Sequence, residues 1–126
     1  MTPYELLAAA RVLMQRPDAS AAGIWPRAAA LLARQAIEAA MAELWAAKRQ
    51  AAGLSGSTMR SQVLCLTAYL DRGTASRAAY LLAALSQACH YHPYELAPTA
   101  TELLGWLDET ARIVTRMEAA AAASQR

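Results

Sequence analysis

Apolar and polar positions alternate along this chain at steps of three and four, and the pattern divides into five segments. Thr2-Pro3-Tyr4-Glu5 has the form of a capping box, with Thr at the N-cap, Pro at the first helical position and Glu three residues after the cap. It predicts a first helix that runs to about Arg16, where Pro17 stops it. "PDASAAG" reads as a loop, and Pro26 opens a long second helix, "PRAAALLARQAIEAAMAELWAAKRQ". Its predicted apolar stripe carries Ala28, Leu31, Gln35, Ile37, Met41, Leu44, Trp45 and Lys48. "AAGLSGS" breaks the pattern, and a third helix is expected from Ser57 to Leu70, with Met59, Val63, Leu66 and Leu70 on one face. Asp71-Arg72-Gly73 is read as its end.

The fourth helix is expected from about Thr74 to Pro93, which lacks a backbone donor, with Tyr80, Leu81, Leu85 and Ala88 as its apolar positions. Thr99-Ala100-Thr101-Glu102 is a second capping box, opening a fifth helix through Leu103, Leu107, Ile113 and Met117. The terminal "EAAAAASQR" has helical propensity but little to bury, so residues 119–126 are expected to fray. No segment reads as a strand, and no sustained heptad or internal repeat occurs. The fold class implied is all-α, a single bundle of four to five mostly antiparallel helices over residues 1–118.

Composition narrows the chemistry. At 126 residues the chain can bury one core. The hydrophobic fraction of 56% overstates that core, because alanine favours helix but buries little surface. Lys48 is the single lysine among twelve basic residues, and the net charge is +2. Arginines dispersed at that charge argue against an obligate or sequence-specific duplex-DNA binder. Cys65 and Cys89 are too few for a disulfide framework, which favours a reduced, cytoplasmic setting. Glu5 and Arg11 interrupt the first apolar run, so it reads as neither signal peptide nor membrane anchor. No charge-free apolar run is long enough to span a membrane.

The densest chemistry lies in "SQACHYHPYELAP", residues 86–98. Cys89 and His92 have i, i+3 spacing, and with His90, Glu95 or Cys65 they suggest a metal site. Three ligands before a proline give no closed tetrahedral set, and a core cysteine beside surface histidines accounts for the same pattern. No metal or other cofactor is expected. A nucleophilic Cys89 activated by His92 is a further alternative. Tyr69, Tyr80, Tyr91 and Tyr94 offer stacking surfaces for unpaired bases, with Arg60, Arg72 or Arg77 for phosphates, although tyrosines at a core boundary look the same. Gly-rich phosphate loops, HExxH and paired carboxylates of di-iron bundles are absent.

The second helix, "LARQAIEAAMAELWAAK", contains A-x-Q-A-x-E-x-A and resembles the signature helix of HEPN domains. With "RSQVLCLTAYL" and "YLLAALSQACHYHPYELAPTATELLGWLD", the likeness covers residues 26–113 and extends to a small, mainly actinobacterial HEPN subfamily. The resemblance implies an all-α homodimer with a protein or RNA partner, in a family where many members are metal-independent ribonucleases and some are toxins. Their catalytic arginine is separated from the histidine that follows it by four to six intervening residues. Before His90 those positions hold Ala83, Ala84 and Leu85, and before His92 they hold Leu85, Ser86 and Gln87. The histidine is present without its arginine, which points to a noncatalytic module. Its expected binding surface is Arg77, His90, Tyr91, His92, Tyr94 and Glu95. The alternative is a divergent ribonuclease that uses His90 or His92 with an arginine from a second protomer.

Overall fold

The computed structural model describes residues 1–15, 25–51, 53–90 and 98–123. Among these the chain forms five α-helices and no strand: α1 (Pro3–Met14), α2 (Trp25–Ala47), α3 (Met59–Cys65), α4 (Arg72–Cys89) and α5 (Ala100–Ala123). Short 3-10 turns at Arg49–Ala51, Leu54–Gly56 and Leu66–Ala68 connect them. The all-α bundle expected from periodicity is therefore the observed fold. No helix among the described residues is long and apolar enough to cross a membrane.

Both capping boxes form. Thr2 Oγ1 accepts from the Glu5 backbone N–H at 3.1 Å while Glu5 Oε2 accepts from the Thr2 N–H at 3.3 Å. Thr99 and Glu102 repeat the exchange at 3.0 and 3.2 Å. Each box satisfies two backbone donors that lack partners within the helix or its cap, which fixes where the helix begins.

Helices α2 and α5 pack together at the centre of the bundle, each touching α1 on one side and α4 on the other. That placement explains the composition of α2. Ala29, Ala30, Ala33, Ala36 and Ala40 are buried along with Ile37, Met41, Leu44 and Trp45, so more than one stripe of this helix is covered. Alanine allows close approach of neighbours on several sides, whereas the larger side chains fill the remaining volume. The expected stripe is corrected here: Leu31 is 37% exposed and Gln35 is exposed, and Ala33 between them faces the core.

Other boundaries shift for identifiable reasons. Asp71 does not end the third helix but caps α4, its carboxylate accepting the Thr74 N–H at 3.0 Å. Arg72 and Gly73 become the first turn of α4. Helix α3 tightens into a 3-10 turn at Leu66 instead of continuing to Leu70. Tyr80, expected in the core, is 51% exposed, and Ala75, Ala78 and Leu82 are buried with Leu81 and Leu85. Helix α5 continues through Ala123, with Ala120 and Ala121 half-buried against the core, so the expected fraying at 119 does not occur up to that residue. Arg16, the "PDASAAG" loop and Ser124–Arg126 lie outside the described residues.

A polar network holds the connection between α2 and α3. Buried Trp45 donates from Nε1 to Gln62 Oε1 at 2.9 Å, and Gln62 Nε2 donates to the Ser57 carbonyl at 3.1 Å. Tyr69 meets Trp45 edge-on with ring centroids 5.7 Å apart, and Lys48 Nζ lies 5.6 Å from the Tyr69 centroid. Asp108 and Glu109, neighbours on α5, reach opposite ways. Asp108 pairs with Arg11 of α1 at 2.8 Å and Glu109 with Arg77 of α4. Asp108 also has i, i+4 spacing to Arg112, but its observed ion pair is the one to Arg11 on another helix.

Candidate functional site

The end of α4 packs beside the beginning of α2. Cys89 is the last helical residue, and His90 takes the C-cap with φ −104° and ψ 36°, its N–H shared between the Ser86 and Gln87 carbonyls at 3.2 Å each. The helix thus stops four residues before Pro93. The last carbonyls of a helix lack partners within it. Here Arg27, in the first turn of α2, donates from Nε to the Cys89 carbonyl at 3.3 Å. His90 itself is exposed beside that contact.

Arg34 and Glu38 continue the same side of α2 and form an i, i+4 ion pair at 3.3 Å. The Arg34 Nε is buried and its approach to Glu38 lacks the alignment of a hydrogen bond. These charges surround the half-buried Cys89. Its thiol pKa is raised, chiefly because burial disfavours the thiolate; the Arg34 and Arg27 charges lower it and the Glu38 charge raises it further. Catalytic thiols are shifted the other way. The nucleophilic reading of Cys89 is therefore opposed by its surroundings, and Cys65 and Cys89 are both free.

Among the residues expected to form a surface, His90 is in place at the helix end. Tyr91, His92, Tyr94 and Glu95 lie outside the described residues, as does Pro93. Arg77 is not brought to this corner. It lies thirteen residues before His90 on α4, which at helical rise is about 20 Å. Its guanidinium engages both carboxylate oxygens of Glu109 and lies 4.9 Å from the Tyr80 ring centroid. That pairing raises the Arg77 pKa and lowers that of Glu109. No group of three His, Cys, Asp or Glu side chains among the described residues could hold a metal ion.

Sequence reasoning missed Arg27, and the i, i+4 spacing of Arg34 and Glu38 reads only as a solvated ion pair, not as part of a site. Their spacing of seven and four residues places them on one face of a helix, so the signal was present in "PRAAALLARQAIE". What the spacing omits is that this face meets the end of α4. The HEPN motif places its arginine just before the histidine, whereas the fold supplies Arg27 from α2 of the same chain. The corner therefore combines an imidazole with a guanidinium already bonded to a backbone carbonyl, beside a thiol held in its neutral form. Such an arrangement offers hydrogen bonds and charge to a ligand but no activated nucleophile. No protein-family model, curated protein or solved structure matches the chain.

Proposed function

We propose that this protein is a noncatalytic, HEPN-like helical binding module whose contact surface is the end of α4. His90 starts that surface, and Tyr91, His92, Tyr94 and Glu95 extend it along the sequence. The reading rests on one observation above the others: the arginine that the fold brings to the residue before His90, Arg27, is bonded to the Cys89 carbonyl. The Nε–H bond to that carbonyl anchors the guanidinium at the helix end and so opposes its moving to stabilise a pentacoordinate phosphate. The module acts in the cytoplasm as a homodimer, because a small alanine-rich bundle gains stability by burying more surface between copies. Its partner is a protein or an RNA, and binding uses no metal or organic cofactor. Affinity purification of wild type and His90→Ala/His92→Ala, with both protein and RNA analysed, tests the reading. A partner present at stoichiometric level with wild type and lost with the variant is the expected result.

The second reading, a metal-independent ribonuclease, is favoured by that same proximity of Arg27 to the residue preceding His90. In it Arg27 would leave the Cys89 carbonyl and support the scissile phosphate while His90 or His92 moves a proton. RNA cleavage in the presence of a chelator, lost in both Arg27→Ala and His90→Ala, selects this reading over the first.

A further inference from the structure

The opposite end of α4 carries a second concentration of charge. A groove of about 290 Å³ runs between the first turns of α4 and the second half of α5. Arg77 enters it from α4, and Arg112 and Arg116 enter it from successive turns of α5. Two carboxylates, Asp71 and Glu109, line the same groove.

The use of those carboxylates decides what the arginines have left to offer. Both oxygens of Glu109 accept from Arg77. Both oxygens of Asp71 accept from Thr74, one from its backbone N–H at 3.0 Å and the other from its hydroxyl. Arg116 is left with a long ion pair to Asp71 at 3.7 Å, and its side chain is 65% exposed. Arg112 makes no hydrogen bond or ion pair with the described residues, and its charge contributes to the lowered pKa of Glu109. Like charges at i, i+4 on a helix repel, so an anion placed between Arg112 and Arg116 relieves a repulsion as well as accepting hydrogen bonds. Planar guanidinium forks match the oxygens of phosphate.

We propose that this groove binds a small phosphate-bearing ligand, inorganic phosphate or a simple phosphomonoester. The phosphate sits between Arg112 and Arg116. Arg77, fixed by Glu109 and supported on Tyr80, closes the third side. The volume suits a phosphate with a small organic group, being at the lower limit of small-molecule sites. This site lies about 20 Å along α4 from His90 and does not depend on the function proposed for that corner.

Isothermal titration calorimetry with inorganic phosphate and with glycerol phosphate, against chloride at matched ionic strength, tests the assignment. Wild type binds at least one of the two, and whichever binds more tightly identifies the source of the phosphate. Arg112→Gln/Arg116→Gln weakens that binding by about 10-fold or more, while the lysine pair restores charge without the fork and recovers only part of it. Circular dichroism checks the fold of each variant, and Arg112→Gln alone serves if the double variant is unfolded, since Arg112 holds no ion pair. No heat beyond the chloride control in wild type, or equal binding by wild type and a folded variant, overturns the proposal. So does tight binding through the same arginines of an oligoribonucleotide without a terminal phosphate when glycerol phosphate does not bind, because that marks a backbone-reading surface.

Discussion

Replacing Gln62 with methionine isolates a buried polar network that ties α3 to the bundle. The two side chains have similar length, so little volume changes. The Trp45 indole N–H, fully buried and now paired at 2.9 Å, loses its acceptor. The Ser57 carbonyl loses its donor too, but Ser57 is only half-buried and water can replace it. A buried donor left unsatisfied costs about 1–3 kcal/mol, and a replaceable bond about 0.5–1. Restored apolar contact from the methionine side chain offsets part of this, leaving a net loss of about 2 kcal/mol. For a domain of this size that lowers the thermal midpoint by roughly 8 °C. Urea denaturation followed by circular dichroism measures the free energy directly. Trp45→Phe combined with Gln62→Met should cost less than the sum of the single changes, because the second loss removes a partner that is already gone. A Gln62→Met variant within about 0.5 kcal/mol of wild type, or strict additivity in the double variant, would refute the claim that this pair is a coupled, buried interaction. Capture of a partner at the His90 corner should be unchanged in Gln62→Met.

Other consequences are as specific. Gly105 lies inside α5 with nothing within 4 Å of an added Cβ, so Gly105→Ala should stabilise by about 0.5–1 kcal/mol in the same denaturation assay. Ala36 is fully buried on the central helix, and Ala36→Leu should destabilise by about 1–3 kcal/mol through overpacking. Cys89 should react with iodoacetamide at neutral pH more slowly than a free model thiol, because its raised pKa leaves less thiolate; faster reaction, followed by mass spectrometry, would contradict the burial described. Folded Glu109 and Asp71 both have lowered pKa values, Glu109 mainly through its bond from Arg77 and Asp71 mainly through Thr74. Their contribution is complete above the unfolded carboxylate values near about 4 and disappears as pH falls through the lower folded values. Glu109→Gln should accordingly flatten the stability curve in that acid window while leaving its slope above pH ~6 unchanged.

The fold was legible wherever local chemistry decides the outcome. Thr2 with Glu5 and Thr99 with Glu102 announce two helix starts, since a capping box needs only residues three apart. Asp71 was misread because an aspartate before Arg-Gly can either close one helix or cap the next, and only the packing of Thr74 and Ala75 against the core selects the second. The stripe on α2 was misdrawn for a related reason. Large side chains were given more weight than alanines, yet a helix surrounded on several sides uses Ala29, Ala33, Ala36 and Ala40 as contact surfaces. At the candidate site, the place of His90 near a helix end could be read from the Pro93 that follows it. Its neighbours Arg27, Arg34 and Glu38 come from more than fifty residues earlier in the chain, and nothing local reveals that α2 starts where α4 ends. The same limit applies to the groove, whose three arginines belong to helices that become adjacent only through the packing of α4 on α5.

We propose that the end of α4 recognises a partner without cleaving RNA. It is tested most directly by incubating tag-free wild type and His90→Ala/His92→Ala with an end-labelled single-stranded RNA in chelator, while the affinity-purified partner is quantified from the same preparations. The account predicts intact RNA with both proteins, an unchanged thermal midpoint in the variant, and partner capture by wild type alone. Cleavage by wild type that disappears in the folded variant, or equal partner capture by both, would contradict it.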